Sequence, residues 1–461
     1  MSRYLGRVHF VGVGGISMSA LAHYLELSGE EVSGSDAVAS ARTERLIESG
    51  IPVAIGHRAD LVEGAAVVVY STDVPEDNPE LAAARARGIR VVHRSEILTE
   101  ALEGRRIIAV TGTHGKTTTT TLIGYLLEHS GLDPLVFTGG EVDGWLGGLR
   151  PGQGEWAVVE GDESDRSILR LTPEVVVVTN IEPEHLEHYD GDFGQLKAAY
   201  RQFVSSVKEG GTAVLCIEDE LVASLGVPIG VRRLTYGRGA EMDGVDLKDT
   251  AQGQTFELLW QGESLGRVAS ALSGRHNMLN ALAAQSACVA CGVQLLRLPP
   301  LLAAFRNAHR RLEILYQANG VAVVDDYAVH PTEIRVVLET LRSWRPKRLI
   351  AALQPHRYER LARLFDDFVQ ATLQADEVWV FDVYGPIGTK TVSSVGSQDL
   401  AAAIASRRLT QVRYRADASG LAEMGQELRN GDLLVALGAG SISRFAHQLA
   451  ANLAAAQSAP N

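Results

Sequence analysis

The sequence predicts a mostly parallel α/β protein of about three domains, and three observations carry that prediction. Short apolar, β-branched runs alternate with helix-patterned segments over most of the chain. Several of these runs end in glycine or polar residues, as strands do where α/β sheets gather ligands. At 461 residues the chain is also too long for a single hydrophobic core.

In chain order, "RVHFVGVGG" is a strand that runs into Gly12, Gly14 and Gly15, and "ISMSALAHYLELSG" follows as a helix. "EEVSGSD", "AAVVVYSTD" and "RVVHRSE" continue a small Rossmann-like unit that ends near Gly104. A second unit starts at "RRIIAVTGTHGKT", with "WAVVEGDES", "EVVVVTNIEPEH" and "GTAVLCIED" as later strands. Between Pro228 and Gly274 the pattern changes to polar–apolar alternation with turn residues, which predicts antiparallel strands. A third unit begins at Arg310 and continues through "RLIAALQPHRY", "EVWVFDVYG" and "DLLVALGAGSI". "NLAAAQSAPN" reads as a fraying tail. The expected domains are therefore 1–104, 105–309 and 310–461.

A formal net charge of −13 argues against a nucleic-acid partner. Three cysteines exclude a disulfide framework and suit a reducing compartment. Cys288 and Cys291 form a CxxC, but Cys216 is the remaining thiol, so a four-cysteine zinc site is impossible. Their small-residue helical surroundings predict a packed core. No run approaches the ~18 apolar residues of a membrane span, and no signal-peptide layout is present, so a cytoplasmic protein is expected.

The stretch "AVTGTHGKTTTTTL", residues 109–122, carries the chemistry. A glycine-containing loop between strand and helix presents backbone N–H groups to an anion. Gly112, Thr113, His114, Gly115, Lys116, Thr117 and Thr118 form that loop, although Val110 stands where a full Walker A has its first glycine. Lys116 is placed to reach outer phosphates and Thr117 to bind Mg²⁺, whereas Thr119 to Thr121 read as packing residues. Magnesium prefers hard oxygen ligands. Two later strand ends offer them: Glu160 with Asp162, Glu163 and Asp165, and Asn180 with Glu184, His185, Glu187 and His188.

With these motifs in order, the chain resembles the Mur ligases of bacterial peptidoglycan synthesis, and within them the branch that adds L-alanine. The resemblance covers nearly the whole chain: "HFVGVGGISMS", "VSGSD", "TGTHGKTTTT", "EGDESD", "TNIEPEH", "GRHNMLNALAA", "RRLE", "DDYAVHPTEI" and "QPHRY". It implies a UDP-binding N-terminal domain, a central ATPase and a C-terminal Rossmann-like domain that closes over the site. It also implies that ATP phosphorylates the lactyl carboxylate of UDP-N-acetylmuramic acid and that L-alanine then attacks the acyl phosphate.

Carried over residue by residue, Gly112 to Thr118 hold ATP, and Thr117, Glu160 and His185 bind magnesium, with Glu163 the alternative ligand. Asn277 and Asn280 lie near the adenine; His276 beside them either contacts ligand or caps its helix. Arg310 and Asp326 meet ATP. Lys116, His185, His356, Arg357 and Arg360 act on the transferring phosphate. Gly12, Gly14, Gly15 and Asp36 serve the uridine nucleotide, and His330 the substrate. Tyr200 stands where several Mur ligases use a carbamylated lysine, so none is expected. A monomer or homodimer fits equally well.

The chain departs from the family pattern at Val329, where the first of two histidines is usual, and at Glu184 and Glu187, where aspartates are common. Asp73 also replaces a small apolar residue near the uridine region. The nearest rival is the ligase that attaches an intact tripeptide to the same sugar nucleotide; Tyr327 and Ser164 favour alanine addition instead. An NAD-dependent oxidoreductase is disfavoured by Ser17 at the third fingerprint position and leaves the phosphate loop at Gly112 unexplained, whereas Val329 makes a non-catalytic relative of the ligase a third alternative.

Overall fold

The computed structural model describes residues 4, 6–163, 166–385, 395–407 and 411–458. Asp165 and Ser164 lie outside the described residues. Among those described, the strands form three sheets. The first contains β1 (Arg7–Val11), β2 (Val32–Asp36), β3 (Val53–Ile55), β4 (Ala65–Tyr70) and β5 (Arg90–His93). They are parallel in the order β3-β2-β1-β4-β5.

The second sheet contains β6 (Arg106–Thr111), β7 (Leu135–Phe137), β8 (Leu149–Pro151), β9 (Trp156–Glu160) and β10 (Val175–Val178). It continues with β11 (Thr212–Cys216), β12 (Arg232–Tyr236), β13 (Met242–Thr250), β14 (Gly253–Trp260) and β15 (Glu263–Ser270). Its order is β15-β14-β13-β12-β11-β10-β6-β9-β7-β8. β6 lies between β9 and β10, parallel to both, so the three motif-bearing strand ends emerge side by side. The alternating segment after Pro228 does form successive short-linked strands, yet it is not a separate sheet. β13 pairs parallel to β12 at Tyr236–Met242, which makes the alternating strands a continuation of the parallel ones.

The third sheet contains β16 (Glu313–Ala318), β17 (Val321–Asp326), β18 (Arg348–Leu353), β19 (Glu377–Phe381), β20 (Gln411–Arg415) and β21 (Asp432–Leu437). Its order is β16-β17-β21-β18-β19-β20, with β16 antiparallel and the other pairs parallel. Both faces are covered, as a parallel sheet requires. Leu349, Ala351 and Leu353 pack on one face with Leu338 and Phe368. Ile350 and Ala352 pack on the other with Trp379 and Ala446.

The chain divides into two compact units. One comprises Met1–Asp246, Phe256–Ala269 and Leu279–Ala308; the other comprises Leu247–Thr255, Ser270–Met278 and His309–Asn461. The first unit holds the first sheet and β6 to β12 of the second, and side chains that share no sequence neighbourhood join them. Arg94 pairs with Asp162 at 2.9 Å, and the Tyr24 and Phe137 rings meet edge to face at 5.6 Å.

The supposed tail is helical for most of its length: the last helix runs Ile442–Ser458. Its alanine-rich end has strong helix propensity, which the tail reading undervalued; residues 459–461 lie outside the described set. Cys288 is buried and Cys291 half-buried at the end of the helix Arg275–Ala290. Burial pushes both thiols well up, as inert core thiols require. Among the described residues, no helix is long and apolar enough to cross a membrane.

Candidate active site

β6 delivers the phosphate loop, and the helix Lys116–His129 begins directly after it. The turn depends on Gly115, whose φ of +81° is left-handed and whose hypothetical Cβ would lie 2.6 Å from Asn280 Oδ1. The end of β10 grips the loop from the side. Asn180 accepts from the His114 N–H through Oδ1 at 2.8 Å and returns its Nδ2 to the His114 carbonyl at 3.0 Å. The Thr179 hydroxyl donates to the same carbonyl at 2.6 Å, and the Thr113 N–H to the Asn180 carbonyl at 3.0 Å. Asn180, to which the motif gave no firm role, is thus the loop's brace.

Thr117 and Glu160 come together as the sequence predicts: the Thr117 hydroxyl donates to Glu160 Oε1 at 3.0 Å. The other carboxylate oxygen accepts from the Gly139 N–H at 2.6 Å and the Thr138 hydroxyl at 3.2 Å. A hydroxyl and an oriented carboxylate beside the phosphate loop form a hard-oxygen donor set, which fits magnesium. His185 has a left-handed backbone, φ 55°, and its ring reaches Glu187 at 3.7 Å.

Lys116 is folded back on its own loop. Its ammonium donates to the carbonyls of Gly112 at 2.6 Å and Thr113 at 3.3 Å, and to Glu163 Oε1 at 2.8 Å. Burial would lower the lysine, but Glu163 leaves it raised. Burial pushes the Glu163 carboxyl up to about 7 against the pull of that same lysine. Glu163, the alternative metal ligand, is here the lysine's counter-ion. Thr119, Thr120 and Thr121 are fully buried, as expected of packing residues. Thr118 instead receives a hydrogen bond from Asn307 at 3.2 Å. Tyr200 is buried without remainder.

Asn280 packs beneath the phosphate loop and accepts from the Thr119 hydroxyl at 3.3 Å. Asn277 donates to the Ser273 carbonyl at 2.8 Å, which ties the start of its own helix.

In the first sheet, Gly12 to Gly15 form the turn after β1. Asp36 Oδ2 accepts from the Gly14 N–H at 2.8 Å, so the acid braces the loop. Behind it lies a buried group that the sequence did not announce. Glu80 accepts from His57 Nδ1 at 2.8 Å and the Ser35 hydroxyl at 2.8 Å, and contacts His9 Nε2 at 2.7 Å. Burial raises the Glu80 carboxyl, but these partners outweigh it and leave it lowered. Only the Asn-Pro-Glu helix start hinted at it, since its partners are tens of residues away.

In the second unit, Arg310 donates to the carbonyls of Gly438 and Ala439 and pairs with Asp325 at 3.4 Å. Asp326 accepts from the N–H groups of Leu312 at 2.7 Å and Ala328 at 2.8 Å. Burial pushes it up to about 6, against the pull of Arg311. His330 caps the helix Pro331–Ser343 and accepts from the Thr332 N–H at 3.3 Å. His356 faces Arg360 at 3.3 Å and stacks on Tyr384 at 6.1 Å. Arg357 holds a left-handed φ of 65° and donates its N–H to the Tyr384 carbonyl at 2.9 Å. A non-glycine residue held there stores strain of the kind found at working sites.

Known proteins resemble this chain over nearly its whole length. Residues 7–106 match "Mur ligase family, catalytic domain", 110–288 "Mur ligase middle domain", and 310–440 "Mur ligase, glutamate ligase domain". The UDP-N-acetylmuramate–L-alanine ligase of Symbiobacterium thermophilum is 45% identical over 453 residues, covering 96% of this chain and 94% of its own. The ligase of that name from Rhizobium etli is 41% identical over 460 residues, covering 97% of each chain. The solved UDP-N-acetylmuramate-alanine ligase of Thermotoga maritima has a TM-score of 0.86 at 28% identity, covering 98% of this chain and 100% of its own. With three family domains matched in order along nearly its whole length, the chain belongs to the Mur ligase family.

Proposed function

We propose that the protein is a cytoplasmic bacterial enzyme that joins L-alanine to UDP-N-acetylmuramic acid at the expense of ATP. The observation that carries this reading is the 45% identity to an alanine-adding ligase over 96% of the chain. The built phosphate loop supports the use of ATP. The substrate's lactyl carboxylate attacks the γ-phosphorus and ADP leaves. The amine of alanine then attacks the acyl carbon of the resulting acyl phosphate. The tetrahedral intermediate collapses with loss of inorganic phosphate and of the amine proton. A carboxylate alone is a poor acyl donor, and phosphorylation supplies the leaving group; positioning and charge neutralisation provide most of the rate.

In this reading the loop amides from Gly112 to Thr118 orient the triphosphate, and Lys116 exchanges Glu163 for an outer phosphate. Thr117 and Glu160, with His185, would hold magnesium, whose chemistry is to neutralise charge on the phosphate oxygens. Asn277, Asn280, Arg310 and Asp326 are assigned to ATP, and His356, Arg357 and Arg360 to the transferred phosphate. Gly12, Gly14, Gly15, Asp36 and His330 are assigned to the sugar nucleotide. Residues 1–104, 105–309 and 310–461 serve as the working domains.

The test is phosphate release by the purified protein with Mg-ATP and UDP-N-acetylmuramic acid, against a panel of alanine, glycine, serine and the tripeptide. Turnover that requires both the sugar nucleotide and alanine is expected. Turnover with the tripeptide alone overturns the reading.

A further inference from the structure

We infer that Arg42 is a positioning residue that ties the glycine loop of the first sheet to the Thr117–Glu160 pair. The inference rests on the reading above, in which the first loop serves the sugar nucleotide and the second serves ATP. Arg42 lies in the first turn of the helix Ala41–Glu48. Its guanidinium forks: Nε donates to the Gly14 carbonyl at 2.6 Å, and NH1 to Glu141 Oε1 at 3.0 Å. The second oxygen of Glu141 accepts from Arg45 at 2.6 Å, so that carboxylate is fixed at both ends.

Glu141 is two residues beyond Gly139, whose N–H donates to Glu160 Oε2 at 2.6 Å. Thr138 donates to the same oxygen at 3.2 Å, and Thr117 to the other at 3.0 Å. The short strap from Thr138 to Glu141 therefore has Arg42 at one end and the candidate metal ligands at the other. It has no slack, since a methyl group on Gly140 would come within 2.7 Å of Thr117 Cγ2. A ligand that shifts the Gly14 carbonyl moves the guanidinium, Glu141 and the carboxylate of Glu160 together.

Arg42 and Glu141 are 37% and 27% exposed, and pairs this open contribute little stability. What they fix is register between two loops, which a planar fork does and an ammonium cannot. Spatial continuity alone is no proof of coupling, so the test measures the coupling itself.

Binding of a non-hydrolysable ATP analogue with Mg²⁺ is measured by calorimetry, with and without saturating UDP-N-acetylmuramic acid. The wild type is expected to bind the analogue about five-fold or more tightly when the sugar nucleotide is present, within the usual range of coupling. In Arg42→Ala, Arg42→Lys and Glu141→Gln the ratio is expected to fall below about two-fold, with each ligand still bound alone and thermal stability unchanged. Arg42→Ala retaining the wild-type ratio overturns the inference, as does a wild type that binds both ligands without linkage. A wild type that binds no UDP-N-acetylmuramic acid overturns the functional reading as well, and the two failures are thereby distinct.

Discussion

The Lys116 ammonium lies 2.8 Å from Glu163 Oε1, so the cation that should meet a phosphate is already neutralised by the protein. ATP must displace a buried carboxylate to gain that lysine. Glu163→Gln removes the competing charge while keeping the shape. Mg-nucleotide affinity, read by calorimetry, should rise about three- to ten-fold, or roughly 1 kcal/mol. A higher Mg²⁺ requirement in place of tighter binding would make Glu163 a metal ligand.

Thr117 meets Glu160 through a single hydroxyl hydrogen bond of 3.0 Å. Thr117→Val keeps volume and removes the oxygen. The Mg²⁺ concentration for half-maximal turnover should increase about ten-fold, while Thr117→Ser stays near wild type. The figure corresponds to about 1.4 kcal/mol for one oxygen ligand. An unchanged magnesium titration in Thr117→Val would remove Thr117 from the ligand set.

Val329 precedes the capping His330, and its N–H donates to Glu333 Oε2 at 2.9 Å. Its backbone is therefore held by the helix cap, and its side chain is only partly buried. Val329→His should leave unfolding unchanged and alter the ratio of kcat/KM for alanine over glycine or serine. An unaltered ratio and rate across the amino-acid panel would show that the valine is neutral.

His276 and Asp326 give opposite pH signs. Burial, then Arg311, lowers His276 from 6.5 to about 4. The residue is partly exposed, but its Nδ1 is sealed without a hydrogen-bond partner. Between pH 6.5 and 4 the unfolded chain takes a proton that folded His276 refuses, so acidification costs stability. Asp326 is raised from 3.8 to about 6. The folded chain therefore takes that proton first, and the same acidification adds stability. His276→Gln removes only the first effect. Urea unfolding should then show a gain relative to wild type of about 2 kcal/mol on going from pH 6.5 to 4.5.

Much of this protein is legible along the chain because its signals are local. "TGTHGKT" needs only its own strand, turn and helix, with Thr117 opening the helix after β6 and Glu160 ending the neighbouring β9. The departures are equally instructive. Gly115, which has no side chain of its own, leaves the space in which Asn280 buttresses the phosphate loop, a contact that no local pattern announces. "NLAAAQS" lacks any capping signal that marks it as ordered, yet it is helical because alanine-rich sequence favours the helix.

The sequence by itself determined the alternating α/β class, the phosphate loop and the cysteine core, since each rests on periodicity, glycine placement or spacing within one segment, and the order of its motifs along the chain carried the family resemblance. Tertiary structure alone decided what opposes what. Lys116 meets Glu163 across 47 residues, Glu80 meets His9 across 71, and Arg42 meets Glu141 across 99. Such charges are paired by the order in which parallel strands assemble, and no local pattern encodes that order.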